Sequence, residues 1–93
     1  MAGVRLLIQF TAENEKEADE RVQALAERSK QAQTEPGCHQ FEVFRSALRP
    51  NVYALLEHWE SDEALAQHTA AMGGPRPQAP GTIRERYQHQ ASS

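Results

Sequence analysis

The 93-residue sequence predicts an α+β domain with the element order βαββαβ. Two observations lead there. The stretch from Val4 to Phe10 alternates in hydropathy with period two, as a strand with unlike faces does, and three further stretches bounded by turn residues read as strands. Two others carry apolar residues at helical spacing, each entered through a capping residue and an acidic first turn.

The first strand is read from Val4, Leu6, Ile8 and Phe10, which alternate with Arg5, Leu7 and Gln9. Asn14 then caps a helix, with Glu17 three residues later as in a capping box. Ala18, Val22, Leu25, Ala26, Ser29 and Ala32 fall on one helical face, and acids early with Arg28 and Lys30 late suit the helix dipole. Pro36 and Gly37 stop this helix. Residues 38–45 form a second strand, with Phe41 and Val43 on one face and Phe44 on the other. Arg49, Pro50 and Asn51 make a turn. The third strand spans residues 52–60, and the second helix runs over 61–72 with Ser61 as its cap and Asp62 and Glu63 in its first turn. Gly73, Gly74, Pro75, Pro77, Pro80 and Gly81 define a loop. Residues 82–90 return as a fourth strand, and 91–93 are expected to fray.

The third strand points to a partner. Val52, Ala54 and Leu56 lie on one face and Tyr53, Leu55 and Trp59 on the other, so both faces need cover. Two helices in this element order shield one face of a sheet only. An exposed apolar sheet face is avoided by monomers, and packing it on its own copy gives a closed homodimer.

Composition narrows the function. The chain is long enough for one domain, residues 1–93, and a chain this short buries only about 60–65% of its unfolded surface. A formal charge of −3 with scattered basic residues gives no reason to expect nucleic acid or an anionic membrane as partner. Cys38 is the sole cysteine, which excludes an internal disulfide. The apolar run near the N-terminus is too short and too polar for a signal peptide or a membrane span. A soluble cytoplasmic protein is the expectation.

Chemistry is carried by few residues. Tyr53, Leu55, Glu57 and Trp59 share a face of the third strand, and Leu65, His68 and Met72 share a face of the second helix. If Leu65 and Met72 point at the sheet, His68 does too, and Trp59 and His68 line one cavity. The competing account makes Trp59 core filler and His68 a satisfied histidine at the cavity edge. His39 alternates with Phe41 and Val43, which makes it either a second titratable group of the cavity or a solvated strand end. Glu57 needs a partner. An ion pair with Arg5 or with an arginine of the last strand is one account; orienting His68 or acting as a base is the other. Metal-ligand spacing, a dinucleotide fingerprint, a phosphate-binding loop and a nucleophile elbow are all missing from the sequence. No metal, haem or flavin is expected.

The block Glu57-His58-Trp59-Glu60-Ser61-Asp62-Glu63-Ala64-Leu65, with His68 beyond it and Glu35-Pro36-Gly37-Cys38 upstream, resembles the antibiotic biosynthesis monooxygenase family. The resemblance implies a ferredoxin-like fold with an antiparallel four-stranded sheet that pairs into a dimeric α+β barrel. In the polyketide-oxidising members an Asn precedes the Trp by four residues and a Tyr follows it by six. Leu55 and Leu65 stand there in this chain, so only Trp59 matches. Against the haem-degrading branch the aligned positions hold Gln9, His68 and Pro77, without the iron ligand. The quinol-oxidising branch shares Gly37-Cys38-His39 and the Trp59 to His68 spacing.

The resemblance implies a cofactor-independent monooxygenase that oxidises a phenolic, quinol or polyketide-like small aromatic substrate with dioxygen. His68 is then the proton acceptor and Trp59 the residue that stacks on the substrate. Tyr53, Leu55, Glu57, Leu65, Met72, His39 and Gln9 are the candidate substrate-binding residues. Two alternatives stand beside it: an isomerase or cyclase on the same scaffold, and a non-catalytic ligand-binding dimer.

Overall fold

A computed structural model describes residues 3–74 and 80–89. Its elements run β1 (Gly3–Thr11), α1 (Glu15–Ala32), β2 (Cys38–Arg45), β3 (Val52–Trp59), α2 (Asp62–Ala71) and β4 (Ile83–His89). The four strands form one sheet in the order β2-β3-β1-β4, and every neighbouring pair is antiparallel. This is the expected ferredoxin-like βαββαβ arrangement. Pro77, at the position aligned with a haem ligand, the middle of the Gly/Pro-rich segment and residues 91–93 lie outside the described residues.

Local chemistry explains the helix ends. The Asn14 side chain accepts from the Glu17 amide at 2.8 Å. The other half of the capping box is absent, because the Glu17 carboxylate pairs with Arg21 at 2.7 Å instead. Ser61 caps α2 by accepting from the Ala64 amide at 3.1 Å. Ser29, buried on the inner face of α1, gives its hydroxyl proton to the Leu25 carbonyl at 2.7 Å, so this polar group enters the core satisfied.

The registers sort the side chains into two layers. Opposite pairs Val4–Trp59, Leu6–Glu57, Ile8–Leu55 and Phe10–Tyr53 share the face under the helices. Val4, Leu6, Phe41, Leu55, Trp59 and Leu65 form the main core with Ala32 of α1, and Ala12, Ala18 and Tyr53 form a second cluster. On the other face stand Arg5, Leu7 and Gln9 of β1, Ala54 and Leu56 of β3, and Phe44 of β2. Leu7, Phe44, Ile83 and Tyr87 are exposed there. Val52, expected to need a partner for cover, is already buried within the chain.

One irregularity reverses a side chain. Cys38 pairs with Trp59 and Gln40 with His58, so His39 is an extra residue in a β-bulge. The parity of β2 shifts there, and His39 turns to the open face, where its ring lies 4.9 Å from that of His58. No helix among the described residues is long and apolar enough to cross a membrane.

Candidate active site

A cavity of about 790 Å³ opens between the sheet and the two helices. Leu6, Ile8 and Phe10 of β1 and Tyr53 and Leu55 of β3 form its apolar floor. From α2 come Leu65, His68 and Thr69, with Met72 at the helix end; from α1 come Arg21 and Arg28, and from β4 Arg84. The volume falls within the roughly 300–1,000 Å³ typical of small-molecule sites. Six of the expected residues therefore line one space: Tyr53, Leu55, Glu57, Leu65, His68 and Met72.

Three expectations are corrected. Gln9 lies opposite Ala54 on the open face of the sheet, because period two places it with Arg5 and Leu7 rather than with Ile8 and Phe10. His39 is carried to that same face by the bulge. Trp59 is fully buried and is not among the cavity-lining residues, so it does not offer a stacking surface. Instead it supports the residues that do line the cavity. The His68 ring packs on it at 4.6 Å and 34°, and Phe41 meets it edge-on at 6.5 Å. Its indole N–H donates to Glu57 Oε1 at 2.8 Å.

His68 is held on a second side by a residue the sequence did not assign to the site. Nδ1 lies 2.8 Å from Oε2 and 3.1 Å from Oε1 of Glu35. A carboxylate only accepts, so Nδ1 is the donor in this contact, and in the neutral ring Nε2 then carries the lone pair. The loop that carries Glu35 is fixed by Gly37. That residue has φ of +80°, and a Cβ on it would stand 2.6 Å from the Ala64 Cβ of α2. Its carbonyl also accepts from the Glu60 amide at 2.7 Å. The turn after α1 is thereby clamped to the start of α2, which brings Glu35 beside His68. The available signal was the Pro-Gly pair directly after Glu35, which marks a tight turn but not what the turn packs against.

Glu57 is 5% exposed, and burial pushes its carboxyl above the ordinary carboxylate range. The Trp59 hydrogen bond, followed by the charges of His68, Arg84 and Arg28, opposes that rise. The expected ion pair is not formed: Arg84 of the last strand acts on Glu57 only through its charge, and Arg5 stands opposite His58 on the other face of the sheet. His68 is oriented by Glu35, not by Glu57. Burial also raises the Cys38 thiol, with the charges of Glu35 and Glu57 adding to the effect, which suits a packed thiol and not a nucleophile.

The chain matches the model of the antibiotic biosynthesis monooxygenase family over residues 3–73. No curated protein matches it. Among solved structures, a Bacteroides thetaiotaomicron protein of unknown function, described as a possible oxidoreductase, is similar with a TM-score of 0.75. It is 21% identical over 94% of this chain and 97% of its own. A Deinococcus radiodurans protein described as a putative antibiotic biosynthesis monooxygenase gives 0.70, 18% identity and coverage of 97% and 93%. A heme-degrading protein of Mycobacterium tuberculosis gives 0.71, 22% identity and coverage of 99% and 96%. At these identities the likeness is one of fold.

Proposed function

The chain belongs to the antibiotic biosynthesis monooxygenase family, and from that premise we propose a cofactor-independent monooxygenase acting on a phenolic, quinol or polyketide-like aromatic compound. The observation that carries the proposal is His68, fixed by Glu35 and lining a largely apolar cavity. His68 Nε2 takes the proton of a substrate hydroxyl, and the resulting anion reduces dioxygen directly. One oxygen atom enters the ring at a C–H position, which becomes a carbonyl. The other leaves as water with the two hydrogens lost from the substrate, so the substrate supplies every electron. An imidazole is a side chain suited to proton transfer near neutrality. An apolar floor keeps water from a reactive anion or peroxide.

The size of the cavity favours this over a purely structural dimer, in which side chains would fill the space. The working unit is a cytoplasmic homodimer joined through the open sheet face, where Leu7, Phe44, Ile83 and Tyr87 are exposed. Oxygen uptake with a panel of hydroquinones and naphthols is the test. Equimolar consumption of oxygen and substrate, lost in His68→Ala, is expected. No uptake with any of the panel, or uptake unaffected by His68→Ala, would overturn it.

A further inference from the structure

The cavity wall carries the opposite charge to the chain. Acidic residues outnumber basic ones 13 to 10 over the sequence, yet among the described residues the cavity is lined by Arg21, Arg28 and Arg84 against one carboxyl, Glu57. Arg21 is engaged elsewhere, with Glu17 at 2.7 Å and with Tyr53. Arg28 and Arg84 are not. Among the described residues neither makes a hydrogen bond or an ion pair, and both act on Glu57 only through space. They reach the cavity from separate elements, α1 and β4, so one helix surface does not account for their meeting. Arg28 is half-buried and Arg84 exposed, which lets both keep their charge with modest loss of hydration. A single buried carboxyl offsets at most one of the two charges. The surplus is positive, and a cleft with apolar walls focuses it on whatever enters.

We propose that Arg28 and Arg84 bind a carboxylate carried by the aromatic substrate. The planar guanidinium fork matches a carboxylate, and charge-assisted pairs of this kind are among the stronger hydrogen bonds. The ring then lies over Leu6, Ile8 and Leu55, with its acid on the arginine side and its reacting hydroxyl toward His68. This deepens the monooxygenase proposal, since it takes the same cavity as the substrate site.

Calorimetric titration with 2-naphthoate and its neutral amide, 2-naphthamide, tests the carboxylate without requiring turnover. The acid is expected to bind roughly tenfold more tightly than the amide. Arg28→Gln and Arg84→Gln should each remove most of that preference while leaving amide binding unchanged, and Arg84→Lys should retain part of it. Thermal melts of each variant separate lost binding from lost folding. Equal affinity for acid and amide, equal weakening of both by the arginine variants, or no binding of either ligand at millimolar concentration would overturn the proposal. Equal weakening would mean that the arginines serve Glu57 alone. Oxygen uptake distinguishes the two proposals. A preference for the acid without uptake on any hydroquinone, carboxylated ones included, leaves the carboxylate site standing and removes the oxygenase. Uptake on neutral naphthols with no acid preference does the reverse.

Discussion

Glu35 and His68 meet at 2.8 Å although 33 positions separate them in sequence. His68 is 7% exposed and its ring packs against those of Phe41 and Trp59, so the ring is fixed by packing, and the carboxylate fixes Nδ1 as the donor. Such an imidazole has one basic nitrogen and one orientation.

The first expectation follows from that dyad. General-base catalysis contributes typically about 10²–10⁴-fold, and His68→Ala should lose turnover by that order. Glu35 acts through His68, so Glu35→Ala should lose roughly 10- to 100-fold in kcat with little change in KM, and Glu35→Gln less, since an amide oxygen still accepts. The double variant should be no slower than His68→Ala alone, because residues that act as a unit are not additive. Additive losses in steady-state kinetics would show that Glu35 serves another step.

Glu57 and Trp59 make a second, testable pair. The folded state holds the Glu57 carboxyl above its ordinary value of 4.5, so the folded chain binds a proton that the unfolded chain has released. Its contribution is therefore fully present below about pH 4.5 and declines as pH rises through the folded value. Glu57→Gln should flatten the fall in stability from pH 4.5 toward neutrality in chemical denaturation, because the amide cannot ionise. Trp59→Phe should steepen it, since the 2.8 Å hydrogen bond that favours the carboxylate is lost. Identical pH profiles for Glu57→Gln and wild type would contradict this account of Glu57.

Strand and helix patterns were legible because they are local: period two in Val4 to Phe10, a cap at Asn14, another at Ser61. Parity fails where a residue is inserted, and no periodicity announces the bulge that turns His39 to the open face. Alignment to the haem-degrading branch points to Gln9, against that residue's own alternation with Ile8 and Phe10. His68 was legible from its spacing with Leu65 and Met72, but Glu35 was not. Its approach depends on a tertiary contact between Gly37 and Ala64, which belong to different elements. The convergence of Arg28 and Arg84 is tertiary in the same sense. Each reads alone as a solvated helix or strand charge.

The open sheet face should hold two chains together. Phe44 and Tyr87 are 46% and 51% exposed in one chain, with Leu7 and Ile83 beside them on the same face. Burying such a patch against its copy contributes about 25 cal/mol per Å² of apolar surface. Sedimentation should give twice the monomer mass at micromolar concentration. Phe44→Glu places a charge on this apolar face and should shift the species to monomer, with a concentration-dependent melting temperature in the wild type only. A wild-type monomer at that concentration would refute the pairing.

Gly37 links the fold to the site, and its replacement should affect both. A side chain there must adopt φ of +80°, which L residues disfavour, and its Cβ would meet the Ala64 Cβ at 2.6 Å. Backbone strain of this kind costs on the order of 1–3 kcal/mol, and the clash with α2 adds to it. Gly37→Ala should therefore lower the unfolding free energy by at least that amount. The loop relaxes by moving away from α2, which takes Glu35 from His68. Turnover should then fall toward the level of Glu35→Ala, and adding Glu35→Ala to Gly37→Ala should cause little further loss. Ala64→Gly removes the Cβ that the new side chain meets, and it should recover part of both stability and turnover when combined with Gly37→Ala. If Gly37→Ala is destabilised but keeps full turnover, the turn does not position Glu35, and the clamp between Gly37 and α2 is structural only.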